Sequence, residues 1–377
     1  MKTQPTPYSP YHSPYDPDQN SIARVPVLVL SMAFWIVTAT SNGADVLVQK
    51  VNNPTPTEPD QAARPVGKSE RPHVAAEQNQ PEVATQGARV QDAKVQGVRV
   101  QGVRVQKDQR FSEQAGRAGL CDVYLPAADP PANGFPVVVV IHGGGWASGD
   151  KWTIASYSRL LAKEGIVAVT INYRLAPAHK FPAQADDVRS ALVWVSKHAK
   201  RLHLNTRQIG LFGYSAGGHL SVLLGALADE AMVVRASASN WPIADPRWKQ
   251  LPKITAVCAG GPPCDFRSLP IDNSAMAYFL GGTRRDRPET YQAASPAAHV
   301  SGNDPVTQLF HGEGDALVPL AGTRQFHQSQ VDAGIDSRLE VIPKQGHMLT
   351  FISPKTYQTV VEFFRELFFK PVVASPS

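Results

Sequence analysis

Two kinds of hydrophobic pattern alternate between residues 120 and 350. Short, uninterrupted apolar runs rich in β-branched residues are typical of strands that are buried on both faces of a parallel sheet. Segments with apolar residues at helical spacing lie between them, most clearly 185–197. Strands that alternate with helices predict an α/β fold, with a mostly parallel central sheet and helices on both faces. The predicted strands are 122–125, 137–141, 166–171, 209–212, 254–258, 306–310 and 339–342.

Residues 1–44 contain one isolated apolar run. It covers 25–40, has no charged residue and is shorter than the roughly 20 residues of a membrane-spanning helix. Such a run is typical of a signal peptide, here with cleavage near Ala44, and predicts an exported protein, either periplasmic or secreted. The polar leader before it is long for a signal peptide. An uncleaved membrane tether through 25–40 and a misassigned start site are therefore alternatives.

Residues 45–110 have the composition of a linker. Prolines interrupt the first part, and Gln, Ala and Glu dominate the residues after these prolines. A repeat with a period of five then runs from Val90 to Gln106, and this period matches neither a helix nor a strand. The repeat is also too short to build a solenoid. We therefore expect 45–110 to be a low-complexity linker and 111–377 to be the folded domain.

Composition and charge exclude several classes of protein. With 42% hydrophobic and 18% charged residues, the chain is neither collagen-like, nor wholly disordered, nor a polytopic membrane protein. The net charge is +5, and no basic stripe interleaved with aromatic residues appears after residue 110, so no nucleic-acid partner is expected. The three cysteines have no metal-binding spacing. A Cys258–Cys264 disulfide stays open, but reduced and buried thiols are favoured.

A candidate nucleophile follows the predicted strand 209–212. Residues 213–217 read Gly-Tyr-Ser-Ala-Gly, which fits the G-x-S-x-G motif, and an apolar helical segment comes next. This motif requires a sharp turn between a strand and a helix, where small neighbours let the backbone turn and leave the serine hydroxyl exposed. Because the strand and the helix are both predicted here, we interpret Ser215 as a nucleophile rather than as an ordinary turn residue.

A second glycine-rich motif follows the predicted strand 137–141. Residues 142–146 read His-Gly-Gly-Gly-Trp. Three consecutive glycines at the carboxyl end of a strand allow backbone N–H groups to point into a site, as in the oxyanion holes of esterases. A phosphate-binding loop would require a different glycine spacing or a following Gly-Lys-Ser/Thr, and neither is present.

An acid and a base should also follow strands, since sites in open α/β sheets lie at the carboxyl ends. Asp315 comes after strand 306–310 and His347 after strand 339–342, in the chain order Ser, Asp, His of this kind of hydrolase. Glu313 is the alternative acid, and we favour Asp315 because it lies farther from its strand. The other imidazoles are interpreted as structural or surface groups: His219, His299, His311 and His327.

These motifs resemble the α/β-hydrolase superfamily, and within it the bacterial carboxylesterases of the BD-FAE-like (feruloyl esterase-like) and hormone-sensitive-lipase-like group. The strings that carry the resemblance are HGGGW, SGDK, NYRLAP, FPAQADDVRSALVWV, GYSAGGHL, HGEGDALVP and QGH, in this order. The resemblance implies a triad of Ser215, Asp315 and His347. It also implies an oxyanion hole formed by the amides of Gly144, Gly145 and Ala216, and a structural pair of Arg174 and Asp187.

The sequence departs from lipase-like members in two ways. Tyr214 precedes the nucleophile where those members usually carry Asp. The segment before the HGGG motif is also too short for a helical cap, so any cap must come from a small insertion between Cys264 and Pro305, before the strand that bears the acid. Both departures favour the BD-FAE-like branch.

The expected function is that of a serine carboxylesterase that forms an acyl-enzyme and needs no metal or cofactor. The expected substrates are small-molecule or carbohydrate esters with short or aromatic acyl groups. An amidase, formamidase or peptidase, a lipase-like esterase for longer acyl chains, and a non-catalytic binding protein are the alternatives. The natural substrate and the oligomeric state are left open by the sequence.

Overall fold

The computed structural model describes residues 102–113 and 116–369 of the 377-residue chain. Its centre is an eight-stranded sheet with the strand order β1-β2-β4-β3-β5-β6-β7-β8. Strands β3 to β8 are parallel, whereas β1 pairs antiparallel with β2 and β2 pairs antiparallel with β4. The strands are β1 (Val103–Arg110), β2 (Leu120–Pro126), β3 (Phe135–Ile141), β4 (Val167–Ile171), β5 (Leu204–Tyr214), β6 (Ala256–Gly260), β7 (Val306–Gly312) and β8 (Ser337–Ile342).

Helices cover both faces of this sheet. They are α1 (Ala155–Lys163), α2 (Ala183–Leu202), α3 (Ala216–Ala226), α4 (Met232–Ser237), α5 (Ala277–Leu280), α6 (Pro288–Ala293), α7 (Leu320–Asp332), α8 (His347–Ile352) and α9 (Pro354–Phe369). Short 3-10 helices lie at Gly116–Gly119, Lys151–Ile154, Pro246–Gln250 and Pro296–Ala298.

Two hydrophobic cores lie on opposite faces of the sheet because successive side chains of a strand point to opposite sides. In β3, Val137 and Val139 pack in the core that holds α2 and α3, whereas Val138 and Val140 pack in the core that holds α1 and α9. This explains why β3 is apolar at every position, and it confirms the predicted α/β architecture.

The predicted elements are present, and most of them are longer than predicted, whereas β4 is one residue shorter and β6 is shifted by two residues. Each of the seven predicted strands overlaps an observed one, and helix α2 extends at both ends beyond the predicted 185–197. The insertion before the acid-bearing strand is also confirmed, because α5 and α6 lie between β6 and β7.

The predicted start of the folded domain at residue 111 needs correction. Strand β1 lies inside the segment interpreted as linker and forms the edge of the sheet. Asp108 anchors it: its backbone N–H donates to Asp122 (2.8 Å), and its carboxylate lies 2.9 Å from Nζ of the buried Lys151. Lys151 also contacts Asp122 at 2.8 Å. This ion-pair network and the β1–β2 hydrogen bonds hold β1 in the sheet, although its first four residues belong to the five-residue repeat.

Most of the remaining N-terminal predictions lie outside the described residues, including the signal or tether at 1–44 and the cleavage near Ala44. Among the residues that are described, no helix is both long enough and apolar enough to cross a membrane. The three cysteines are buried and unpaired with one another.

Candidate active site

Ser215 lies on a sharp turn between strand β5 and helix α3. Its backbone has φ 56° and ψ −120°, a left-handed conformation that non-glycine residues rarely adopt. The turn is possible because its neighbours are small: a Cβ at Gly213 would stand 2.2 Å from the carbonyl oxygen of Gly217, and a Cβ at Gly217 would stand 2.1 Å from that of Ile141. The Ser215 N–H donates to the carbonyl of Gly260 (2.7 Å), which fixes the turn against β6.

Asp315 and His347 form a direct hydrogen bond at the carboxyl ends of β7 and β8. Nδ1 of His347 lies 2.6 Å from Oδ2 of Asp315, and because a carboxylate only accepts, Nδ1 carries the proton. Nε2 is therefore the nitrogen that can accept a proton in the neutral ring. Both side chains are largely buried.

Further groups surround the Asp315 carboxylate. Oδ1 accepts the backbone N–H groups of Leu317 and Val318 (both 2.9 Å), and Nε2 of His311 lies 3.2 Å from Oδ2. Burial by itself raises the pKa of Asp315, but the hydrogen bonds from His311 and His347 outweigh burial and hold the pKa well below its ordinary value. The carboxylate therefore stays ionised at neutral pH.

Ser215 and His347 adjoin the same short segment, Gly260–Gly261. Tyr214 donates its hydroxyl to the backbone carbonyl of His347, and its ring lies 5.1 Å from the imidazole. A Cβ at Gly261 would meet Cε1 of His347 at 3.1 Å. No hydrogen bond joins Ser215 Oγ to His347 in the part of the chain that the structure describes. Catalytic hydrogen bonds are often long before substrate binds.

The HGGG loop meets the Ser215 turn at Gly143. A Cβ at Gly143 would stand 2.8 Å from the carbonyl of Tyr214 and 3.4 Å from Cβ of Ser215. Gly144 and Gly145 have φ of 111° and 59°, which glycine adopts without strain. Within the described residues, the N–H groups of Gly144 and Gly145 donate no hydrogen bond. Ala216 is the first residue of α3, so its N–H has no acceptor within the helix.

His219 connects the HGGG loop to the insertion. Its Nδ1 accepts from Trp146 Nε1 (3.1 Å), and its Nε2 lies 2.8 Å from the carbonyl of Ala294, to which it donates. Burial lowers the pKa of His219 to about 4, so the ring is neutral near pH 7. The imidazole is a structural link, as the sequence indicates.

The alternative acid, Glu313, has a different environment. It is exposed, and its Oε2 accepts the backbone N–H of Lys344 at 3.1 Å. The expected structural pair is present: Arg174 Nη2 lies 2.9 Å from the buried Asp187. Neither residue of this pair is joined by a hydrogen bond to Ser215, Asp315 or His347 among the described residues.

The BD-FAE family model matches residues 121–329, which is more than half of the chain. The chain belongs to the BD-FAE family. The match includes Ser215, Asp315 and the glycine motif, and it ends before His347.

A curated relative and two solved structures illustrate the similarity. Esterase LipC of Mycobacterium tuberculosis is 31% identical over 224 residues, which are 55% of this chain and 51% of LipC. The chain therefore spans about half the length of this relative. A truncated carbohydrate esterase from gut microbiota has a TM-score of 0.61 at 22% identity and covers 70% of this chain and 95% of its own. The thermophilic esterase Est2 of Thermogutta terrifontis has a TM-score of 0.56 at 22% identity and covers 75% and 96%.

These likenesses show that this BD-FAE member has the α/β-hydrolase fold that its motifs predict. Sequence reasoning missed the contacts that support the site. Tyr278 of the insertion donates to the carbonyl of Gly145 (2.9 Å), and Tyr173 donates to that of His142 (3.0 Å). His311, interpreted from the sequence as a structural or surface group, also contacts Asp315. No sequence pattern links Tyr278 to Gly145, because the two residues are 133 positions apart and tyrosine occurs in many unrelated contexts.

Proposed function

We propose that this BD-FAE protein is a serine carboxylesterase with Ser215 as its nucleophile. The observation that carries the proposal is the 2.6 Å bond between Asp315 and His347 beside a serine on a strained turn. In the proposed mechanism, Nε2 of His347 removes the proton of Ser215 as Oγ attacks the ester carbonyl. Asp315 orients the ring and stabilises the imidazolium that forms.

The alcohol leaves after His347 returns the proton to its oxygen, and an acyl-enzyme remains. Water then attacks the acyl carbon with His347 as the base, which releases the acid and restores Ser215. We assign the oxyanion to the amides of Gly144, Gly145 and Ala216. The HGGG loop meets the Ser215 turn at Gly143, Ala216 directly follows Ser215, and among the described residues the N–H groups of Gly144 and Gly145 donate no hydrogen bond.

We propose esters of short or aromatic acids as substrates, with polar alcohols such as sugars. One similar structure is that of a carbohydrate esterase, which supports a sugar as the alcohol, and the name of the relative LipC, an esterase, supports ester hydrolysis. The insertion is also small, with helices of four and six residues, and it offers little surface for a long acyl chain.

The test is hydrolysis of p-nitrophenyl acetate, together with labelling by a fluorophosphonate that reacts with activated serines. Ser215→Ala should abolish both turnover and labelling while leaving the circular dichroism spectrum unchanged, because the side chain is small. Ser237→Ala, at an exposed serine on α4, is the matched control and should retain both. Labelling that persists in Ser215→Ala would identify another nucleophile.

We also propose that residues 1–44 direct export, on the basis of the apolar run at 25–40. N-terminal sequencing of the protein recovered from the periplasm or the medium tests this. A mature chain that begins near residue 45 supports cleavage, whereas an intact chain in the membrane fraction supports a tether.

A further inference from the structure

The carbonyl groups of the HGGG loop are held one by one. The Gly143 carbonyl accepts from Nδ1 of His142 (2.7 Å), and the Gly144 carbonyl accepts from both the backbone N–H and the hydroxyl of Ser148 (both 3.0 Å). The C=O and N–H of a planar trans peptide point in opposite directions, so a bond to the carbonyl also fixes the next residue's N–H. The hydrogen bonds to these two carbonyls therefore orient the N–H groups of Gly144 and Gly145.

The Gly145 carbonyl differs from those of Gly143 and Gly144, because among the described residues no partner within the loop donates to it. It accepts the hydroxyl of Tyr278, which lies 133 residues away on helix α5 of the insertion. A Cβ built on Gly145 would lie 3.5 Å from the Tyr278 hydroxyl oxygen. Within the described residues, and leaving out Gly145 itself and its two chain neighbours, no other atom lies within 4 Å of that position. Gly143 and Gly144, in contrast, face backbone atoms at 2.8 and 2.3 Å.

The backbone on the other side of this peptide is strained. Trp146 has φ 58°, a conformation that is costly for a large aromatic residue. Its ring is nevertheless fixed, since it stacks on Phe279 with centroids 4.2 Å apart and 9° between the planes. A flip of the Gly145–Trp146 peptide relieves this φ without moving the ring, and it exchanges the positions of the Gly145 carbonyl and the Trp146 N–H.

We propose that Tyr278 is a positioning residue for the reaction: its hydroxyl holds the Gly145 carbonyl toward the insertion and prevents this peptide from flipping. The inference rests on the proposed esterase function. A flip would move a partially negative oxygen across the loop whose amides bind the developing oxyanion, and would weaken transition-state stabilisation. The insertion thereby holds the HGGG loop in the conformation that binds the oxyanion. Burial raises the pKa of Tyr278, so its hydroxyl stays a donor up to alkaline pH.

The test compares Tyr278→Phe with Tyr291→Phe in the full chain. Both substitutions remove one hydroxyl of the insertion and keep the ring, but Tyr291 donates to Gly282 inside the insertion (3.2 Å) and does not reach the loop. For p-nitrophenyl acetate, we expect Tyr278→Phe to lower kcat on the order of tenfold, the effect of one lost neutral hydrogen bond. KM should stay within about twofold of wild type, and Tyr291→Phe should match wild type in both constants.

A crystal structure of Tyr278→Phe gives a readout that does not depend on activity, and it should show the Gly145–Trp146 peptide flipped. The proposal is overturned if that peptide keeps its orientation, if kcat is unchanged, if KM alone rises, or if Tyr291→Phe loses as much activity as Tyr278→Phe. A wild-type chain without esterase activity would contradict the proposed function alone. In that case, the orientation of the Gly145–Trp146 peptide in Tyr278→Phe would still show whether the Tyr278 hydroxyl holds this peptide in place.

Discussion

Four N–H groups surround the Asp315 carboxylate: two belong to the backbone and two to imidazole rings. Nε2 of His311 lies 2.8 Å from the carbonyl of Val318, and because a carbonyl only accepts, this nitrogen carries a proton. The proton is shared with Oδ2 of Asp315 at 3.2 Å. The carboxylate is thereby fixed in place with one oxygen aimed at His347, which is the arrangement that orients a general base.

We predict that Asp315→Asn lowers kcat by about 10⁴-fold, because the amide no longer holds His347 in the required tautomer. Glu313→Gln is the matched control and should stay near wild type, since Glu313 is exposed and bonds only to a backbone N–H among the described residues. Steady-state rates on one ester measure both. If Glu313→Gln proves the more damaging change, the acid of the triad is Glu313.

His219 gives a prediction about stability and pH. Its pKa is 6.5 in the unfolded reference and about 4 in the folded protein, where burial disfavours the charged ring. Between pH 6.5 and 4 the unfolded chain binds a proton here that the folded chain does not, so stability falls as the pH is lowered through this window. The expected loss is about 1.4 kcal/mol per pH unit, and the contribution is fully present above pH 6.5.

Urea denaturation of wild type and His219→Gln at pH 7.5 and 5.0 measures this effect. The variant should be less stable at pH 7.5 because it loses bonds to Trp146 and Ala294, but its stability should depend less steeply on pH. Parallel slopes for wild type and His219→Gln would show that this imidazole is not the group that titrates.

At the scale of elements, strand β1 forms one edge of the sheet. It pairs with β2 along almost its whole length and supplies Asp108 to the buried Lys151. Without β1, the hydrogen-bonding edge of β2 is open to other chains, which is a known route to aggregation.

We predict that a chain beginning at Phe111 is less stable than one beginning at Gly87 by on the order of 3 kcal/mol, the sum of several backbone hydrogen bonds worth about 1 kcal/mol each. The shorter chain should also form larger species in size-exclusion chromatography. Urea denaturation of both chains measures the difference. Equal stability and equal size would mean that β1 is dispensable.

The same elements show what the sequence could predict. Strands β3 to β7 are recognisable because their segments that are buried on both faces are mostly apolar, and the site motifs lie at the carboxyl ends of three of them. Strand β1 is hard to recognise, since it lies half exposed at the edge and its register is irregular between Gln106 and Gln109. Its alternation of apolar and polar residues covers only 103–106 and coincides with the five-residue repeat. Its place depends on Asp108 meeting Lys151, a contact between distant residues that local periodicity does not encode.

At the scale of the whole molecule, the insertion between β6 and β7 packs its large aromatic residues into the domain. Phe266 and Phe279 are buried, and both contact Trp146 of the HGGG loop. Their apolar surface is therefore used in the core and does not line a channel for a long acyl chain. Each methylene of a substrate adds about 0.8 kcal/mol of binding only where the protein can bury it.

We therefore predict that kcat/KM on p-nitrophenyl esters is highest for acetate or butyrate and does not rise toward octanoate. The opposite result is physically possible, because exposed apolar side chains lie close in the chain to Asp315 and His347 and could bind a longer acyl group: Leu317, Met348, Leu349 and Ile352. If octanoate is the best substrate, Met348→Ser should reduce activity on octanoate while leaving acetate unchanged, which would identify this surface as the acyl site. If instead acetate or butyrate is best, Met348→Ser should be neutral on every chain length. The two results separate an esterase for short acyl groups from a lipase-like enzyme with the same triad.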